Sequence, residues 1–246
     1  MTNGFCARYI LGMRDFTTII AVNPRRIIAV LAVIALLLIS LSLFGQIMKY
    51  VFGHPSVFGF VLLFSVDDEF NVPSFYSGFL LLTCAALLAV CARLADEQQH
   101  GFRIQWWALS LMFIYLAFDE QVGIHERLIA PIQERFHPEG IFMFAWVIVA
   151  LPLVIVFALA SIPFLRGIPS RTRNLFLVAG AMYVGGALGM EMVGSWYTDT
   201  FGDENLVYNI VVTIEESLEM FGCVAFIYAL LDHLSRLTPP YHITVR

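Results

Sequence analysis

Residues 206–231 read LVYNIVVTIEESLEMFGCVAFIYALL, an apolar stretch with three glutamates near its middle. A helix that crosses a bilayer needs about 20 mostly apolar residues, and this stretch is long enough. Five other stretches also qualify, approximately residues 27–50, 74–94, 104–124, 141–165 and 174–197. The sequence therefore predicts an all-α integral membrane protein built as a six-transmembrane-helix bundle.

The overall composition points the same way. The chain has 246 residues, of which 59% are hydrophobic and only 13% are charged, and its mean hydropathy is +0.80. A soluble domain is about 45–50% apolar and about 25% charged, and a chain of this length has too little interior to hide so much apolar surface. The composition excludes a soluble enzyme, and a formal net charge of −5 argues against nucleic acid as a partner.

Lysine and arginine fall mainly on one side of the six predicted spans. Eleven of the 14 lie there, and the side rich in these residues faces the cytoplasm. We therefore expect both termini in the cytoplasm, as an even number of spans requires. Residues 5–20 predict an interfacial amphipathic helix within residues 1–24, followed by the six-helix transmembrane domain at 25–235 and a cytoplasmic tail at 236–246. Residues 57–66 are apolar but too short to span, which favours a re-entrant or surface segment.

Three of the predicted spans carry acidic residues, all in the outer half of the predicted bundle. They are Asp119 and Glu120 in the third span, Glu191 in the fifth, and Glu215, Glu216 and Glu219 in the sixth. A charge at the centre of a spanning helix costs about 2.5–3.5 kcal/mol, so six lipid-facing acids would cost on the order of 10–20 kcal/mol. We expect all six to face the interior of the bundle, where they are protonated, paired or bound to a cation.

Helical spacing predicts which acids share a helix face. Positions seven apart lie on one face, and positions four apart are stacked one turn apart. This spacing places Asp119 on one face with Glu126, and Glu215 one turn from Glu219. The acids of the third and sixth spans are therefore expected to point toward one shared region.

The glycines of the fifth span predict how the helix that carries Glu191 packs. This span contains Gly180, Gly185, Gly186, Gly189 and Gly194, with a small-xxx-small pair at Gly185 and Gly189, and such glycines let helix backbones approach closely. We therefore expect the helix that carries Glu191 to pack tightly against a neighbouring helix.

A metal ion is the expected partner of these acids. No lysine or arginine lies deep in any predicted span, and the nearest base, Arg127, neutralises one acid at most. Carboxylates with one histidine suit a divalent metal cation such as Mg²⁺, Ca²⁺, Mn²⁺, Fe²⁺ or Zn²⁺. The candidate metal ligands are Asp119, Glu120, His125, Glu126, Glu191, Glu215 and Glu219. Glu216 is the candidate catalytic general base.

Three classes of function use such a site. A metal-dependent enzyme would activate water or oxygen against a lipid or lipid-soluble substrate. A proton- or cation-coupled transporter or channel would expose the same acids to each side of the membrane. A non-catalytic subunit would pack within a homo-oligomer or a larger membrane complex. The lipid bilayer is a partner in all three.

Three strings carry a resemblance to a family. FDEQVGIHERL (118–128), GALGMEMVGSWY (186–197) and EESLEMFG (215–222) are similar to those in an uncharacterised family of small bacterial multi-pass membrane proteins. The resemblance runs over about residues 70–234. It implies a multi-pass protein of the bacterial inner (plasma) membrane, and it brings no activity, cofactor or substrate with it.

Overall fold

The computed structural model describes residues 24–97 and 102–237. The helices are α1 (Pro24–Tyr50), α2 (Phe60–Phe64), α3 (Val72–Glu97), α4 (Arg103–Val122), α5 (Ile129–Phe136), α6 (Val147–Gly167), α7 (Ser170–Val184), α8 (Glu191–Phe201) and α9 (Leu206–Leu237). A π-helical segment, Gly185–Met190, joins α7 to α8. No β-strand occurs among the described residues, which confirms the all-α class. The predicted interfacial helix at 5–20 and most of the tail at 236–246 lie outside these residues.

Several of these helices are suited to a membrane. Within the described part of the chain, four helical stretches are long and apolar enough to cross one, namely Pro24–Tyr50, Val72–Ala95, Val147–Gly167 and Ser170–Phe201. A fifth candidate is the bent pair Arg103–Val122 and Glu126–Phe136, whose two parts meet at 70°. Four or five such stretches are typical of a membrane protein. The predicted sixth span corresponds to α9, which has 32 residues but is not among these candidates.

α9 is the central helix of the bundle. α1, α3, α7 and the π-helical segment all pack against it, and its buried positions extend from Asn209 to Leu234. Between α3 and α9 the core is apolar, with Leu80, Leu88 and Leu230 almost completely inaccessible. In a bilayer such helices are held together by close packing, because lipid is as apolar as the side chains it replaces.

The glycine at position 123 ends α4. Gly123 has a φ of +55°, a left-handed conformation that glycine adopts at little cost, and its N–H donates to the carbonyl of Asp119 at 2.8 Å. The chain then bends into a 3₁₀ turn at Glu126–Leu128 and α5. The prediction of one helix over 104–124 was therefore wrong at its end. Asp119 and Glu126 do not share a helix face, because the helix ends between them.

α6 begins later than the sequence predicts. It starts at Val147, whereas the predicted span was 141–165, because the preceding residues form a turn that is bonded to α8. The Ser195 hydroxyl donates to the carbonyl of Gly140 and accepts from the N–H of Phe144, each at 2.9 Å. These bonds occupy backbone groups that a helix would otherwise use, so the start predicted at residue 141 was wrong.

The π-helical segment decides which glycine contacts α9. A Cβ atom on Gly186 would lie 2.8 Å from the carbonyl oxygen of Glu215 and 2.8 Å from Cγ of Glu219. No neighbouring heavy atom lies within 4 Å of the same position on Gly185 or Gly189. Gly186, one of the five glycines of the predicted fifth span, therefore makes the close approach, and the small-xxx-small pair does not, because a π-helical turn contains an extra residue and shifts the faces.

Candidate functional site

The acids of the predicted spans are withdrawn from the surface. Glu215 is buried, and Asp119, Glu120, Glu191, Glu216 and Glu219 are half-buried. We call these six residues the acidic site. They come from α4, α8 and α9, and Gly186 brings the π-helical segment before α8 into direct contact with α9 beside Glu215 and Glu219.

Glu191 links α8 to two other parts of the molecule. Its Oε1 accepts a hydrogen bond from Nε1 of Trp146 at 2.5 Å, and its carboxyl group also shares a hydrogen bond with that of Glu215. Ionised carboxylates only accept hydrogen bonds, so two carboxyl groups bond to each other only when one of them carries a proton. The Glu191 and Glu215 carboxyl groups thus approach each other between α8 and α9.

Glu120 and Glu219 line one small cavity. Ser77, Tyr183 and Cys223 also contribute to its wall, and its volume of about 10 Å³ is of the order needed for one water molecule. The Tyr183 hydroxyl donates a hydrogen bond to the Glu219 carboxylate. The Ser77 hydroxyl is buried and lacks a hydrogen-bond partner. Because buried polar groups are nearly always hydrogen-bonded, this hydroxyl beside two carboxylates marks a place for a polar ligand.

His125 and Asp119 form an ion pair at the rim of the acidic site. Nδ1 of His125 lies 2.8 Å from Oδ2 of Asp119, and the backbone N–H of His125 donates to Oδ1 at 3.0 Å. The imidazole also packs on Trp146, with ring centroids 4.8 Å apart. Burial alone lowers the pKa of His125, but the bond to Asp119 and the neighbouring carboxylates outweigh it and raise that pKa above its usual value. The pair thus favours a protonated imidazole.

The loop between α2 and α3 adds more carboxylates at the same rim. Glu69 lies against Gly123, where a Cβ atom would be 2.7 Å from both of its carboxylate oxygens. Partial burial and repulsion from Glu126 raise the pKa of Glu69. Desolvation and repulsion from Asp68 and Glu191 likewise raise the pKa of Asp67 to about 6. This rim therefore holds protons more readily than isolated carboxylates do.

The seven predicted metal ligands are divided among separate contacts. Glu120 and Glu219 share the small cavity, Glu191 pairs with Glu215, Asp119 pairs with His125, and Glu126 is exposed in the 3₁₀ turn. Glu216, the candidate base, interacts electrostatically with Glu219 and Glu120. In the described ranges, no three His, Cys, Asp or Glu residues are grouped so as to hold a metal ion. A cation at the cavity would depend on two carboxylates and on neutral oxygen atoms.

Sequence reasoning missed three residues of this region. Ser77 and Tyr183 lie in the apolar stretches of α3 and α7, and Trp146 lies in the turn before α6. Their signal in the sequence is a hydrogen-bonding group within an apolar segment, since a buried hydroxyl or indole N–H needs a partner. The sequence does not identify that partner, because Trp146 and Glu191 are 45 residues apart.

The fold and the acidic site together define the class of protein, a helical membrane protein with partly buried carboxylates among apolar helices. The chain belongs to the family described as domain of unknown function DUF8692, whose model matches residues 26–234. This match bears out the resemblance to an uncharacterised family. No curated protein and no solved structure matches the chain.

Proposed function

We propose that the acidic site binds a divalent cation and that the cation serves an enzyme acting on a lipid or lipid-soluble substrate. The cavity between Glu120 and Glu219, with its unpartnered Ser77 hydroxyl, is the observation that carries this proposal. Its two acidic donors are carboxylates and its hydroxyl donors are Ser77 and Tyr183, and such oxygen ligands favour hard cations such as Mg²⁺, Ca²⁺ or Mn²⁺. A cation there also offsets the cost of two carboxylates withdrawn from water.

The neighbouring side chains supply the remaining roles. Tyr183 donates to Glu219, and such a bond orients a metal-ligating carboxylate. Glu216 precedes the cavity-lining Glu219 by three residues on α9 and interacts electrostatically with Glu219 and Glu120, and it is the candidate general base for a water molecule. A divalent cation bound beside it would lower the pKa of that water and polarise the substrate.

We further propose that the protein is a multi-pass protein of the bacterial inner membrane with six spans and both termini in the cytoplasm. Support for this arrangement comes from the arginine asymmetry and from the length of α9, which at 32 residues exceeds the roughly 20 needed to span a bilayer. A reporter fused after residue 237 tests the location of the C-terminus. Reporter activity outside the cytoplasm would contradict this arrangement.

The cation site is tested by binding of Mn²⁺ to the purified full-length protein in detergent. We expect about one ion per chain, and at least tenfold weaker binding for Glu219→Gln and Glu120→Gln. Glu126→Gln is the matched control, because Glu126 is exposed and lies outside the cavity. Unchanged Mn²⁺ affinity in a folded Glu219→Gln variant would overturn the proposal.

A second candidate is a proton-coupled transporter, which the Glu191–Glu215 carboxyl pair favours. A carboxyl pair that holds one proton between two helices is a suitable element of a proton relay. In vesicles that contain a pH-sensitive dye, this function predicts proton uptake driven by membrane potential and lost in Glu191→Gln. Proton uptake without Mn²⁺ binding would favour this candidate over the enzyme.

A further inference from the structure

A second and much larger cavity lies between α4, α6, α7 and α9. Its volume is about 570 Å³, within the range of about 300–1,000 Å³ that small-molecule sites occupy. The wall is almost entirely apolar and includes Phe113, Phe157 and Phe226. The Ser161 hydroxyl in this wall already donates to the carbonyl of Phe157 at 2.8 Å. This cavity therefore suits a hydrocarbon chain rather than a polar ligand.

α6 forms the outer wall of this apolar cavity. Its buried residues, Val147 and Phe164, lie at its two ends, so its middle is not packed tightly on the bundle. Leu159, which lines the cavity, is 61% exposed. The cavity thus reaches the apolar exterior of the bundle, and a chain dissolved in the bilayer has a lateral route into it.

The two cavities meet at Tyr183 and Cys223, which line both of them. The Tyr183 hydroxyl bonds the Glu219 carboxylate, while its ring borders the apolar cavity. A molecule whose chain fills the apolar cavity can therefore place its polar end at this shared wall, on whose other side Glu219 and Glu120 line the small cavity. The geometry is that of a binding site for an amphiphile.

The charge around the small cavity determines which head group of an amphiphile binds there. Neither cavity is lined by lysine or arginine, whereas Glu120 and Glu219 line the small one and Glu216 interacts with both. A buried charge needs an opposite charge, so a cationic end is attracted here and an anionic end is repelled. A neutral end would leave the two carboxyl groups to be neutralised by protons instead.

We propose that the apolar cavity binds the hydrocarbon chain of a long-chain amine whose ammonium group pairs with Glu219 and Glu120. This inference goes beyond the proposed enzyme by naming a second ligand class for its site, and it rests on the same carboxylates. Because the ammonium and the divalent cation use the same two side chains, the two ligands compete. The chain length is set by the apolar cavity, and the head-group selectivity is set by the carboxylates.

The test uses a 12-carbon amine that carries a diazirine in its chain, with the alcohol and the carboxylic acid of the same chain as comparisons. Full-length protein in lipid nanodiscs is irradiated with each probe, and mass spectrometry maps the labelled residues. We expect the amine to label residues 154–165 and 176–184, at least tenfold more than the carboxylic acid does. Equal labelling by the acid and the amine would overturn the assigned charge.

Two glycines provide a matched pair of variants. Gly180 lines the apolar cavity, and a Cβ atom on it meets no heavy atom within 4 Å, so Gly180→Leu fills the cavity without a clash at Cβ. Gly189 has equally open space but is not part of the cavity wall. We expect at least tenfold less labelling in Gly180→Leu and no change in Gly189→Leu. Undiminished labelling in Gly180→Leu would overturn the proposed position of the chain.

The head group is tested separately with Glu219→Gln. This variant should still bind the chain, but should label equally with the amine and the alcohol. If labelling requires open space at Gly180 and remains independent of head group in the wild type, the cavity holds ordinary bilayer lipid and the proposal fails. A cavity covered by a second copy of the chain would instead make Gly180→Leu change the oligomeric state, which also contradicts it.

The same variants separate this inference from the proposed function. Gly180→Leu should leave Mn²⁺ binding unchanged, because Gly180 does not line the small cavity. If Mn²⁺ binding depends on Glu219 while amine labelling is the same in Gly180→Leu as in the wild type, the inference fails and the cation site stands. If no Mn²⁺ binds and amine labelling depends on both residues, the metal proposal fails and the amine site stands.

Discussion

α9 carries acidic residues in two regions, and the protein compensates them in different ways. Near the C-terminal end of α9, Asp232 accepts hydrogen bonds from Arg171 at 3.0 Å and from Arg236 at 2.9 Å. Near the middle of the helix, Glu215 bonds the carboxyl of Glu191, and Glu219 bonds Tyr183. The first region pairs opposite charges, whereas the second pairs acids with acids and hydroxyls.

The difference follows from how far each region lies from the C-terminal end of α9, so we call the region around Glu215 and Glu219 the deep region and the region around Asp232 the shallow region. Glu219 and Asp232 are 13 residues apart, or about 20 Å along a helix, which is most of the apolar thickness of a bilayer. Arg171 and Arg236 are largely exposed, at 54% and 52% of their side-chain surface, so they keep their own hydration. An arginine placed beside Glu219 would lose its hydration. A proton or a small cation neutralises a carboxylate there at a lower cost in free energy.

The largest effect is expected from Glu191→Leu, which removes acid pairing from the deep region. It leaves the Trp146 N–H and the Glu215 carboxyl without a partner, and unsatisfied buried groups cost about 1–3 kcal/mol each. We expect a loss of about 3 kcal/mol of unfolding free energy, measured by thermal unfolding in detergent. The control is Glu191→Gln, whose amide accepts from Trp146 and donates to Glu215. Equal losses in both variants would show that the hydrogen bonds are not the cause.

The second effect concerns the contact that brings α9 to the π-helical segment. Gly186→Ala places a methyl group 2.8 Å from the Glu215 carbonyl oxygen, and backbone cannot yield as a side-chain end can. Overpacking of this kind costs about 1–3 kcal/mol. Gly185→Ala has open space and should be neutral. Thermal unfolding of the two variants checks this, and similar behaviour would mean that Gly186 is not the close contact.

The contrast between Gly185 and Gly186 also shows how far the sequence predicts this protein. The apolar stretches and the cost of burying charge predict an all-helical bundle with inward acids, because both depend only on the order of apolar and charged residues along the chain. The contacts between acids depend on helix continuity. Gly123 interrupts the helix between Asp119 and Glu126, and the π-helical segment shifts the glycine that faces α9. A regular helical period therefore predicts the wrong shared face at both places.

The third prediction concerns the rim of the acidic site, where the bond to Asp119 raises the pKa of His125. In Asp119→Asn the main opposing charge is lost, so the pKa of His125 should fall. The raised pKa stabilises the fold fully below the ordinary value of about 6.5, and this contribution is lost as pH rises through the folded-state pKa. Histidine ring NMR in micelles measures the pKa, with His125→Gln to assign the signal. An unchanged pKa in Asp119→Asn would show that other carboxylates hold the proton.

The smallest effect should come from the shallow region of α9. Asp232→Asn removes the charge that Arg171 and Arg236 share, yet exposed ion pairs contribute only about 0–1 kcal/mol, since water solvates the freed arginines. We expect the midpoint of thermal unfolding to change little, and to change less still in high salt, which screens exposed charges. Glu215→Gln, at the deep region, should be insensitive to salt. If Asp232→Asn destabilised the protein as much as Glu191→Leu, depth would not govern how α9 compensates its acids, and arginine pairing would be as essential to the fold as the acid pair.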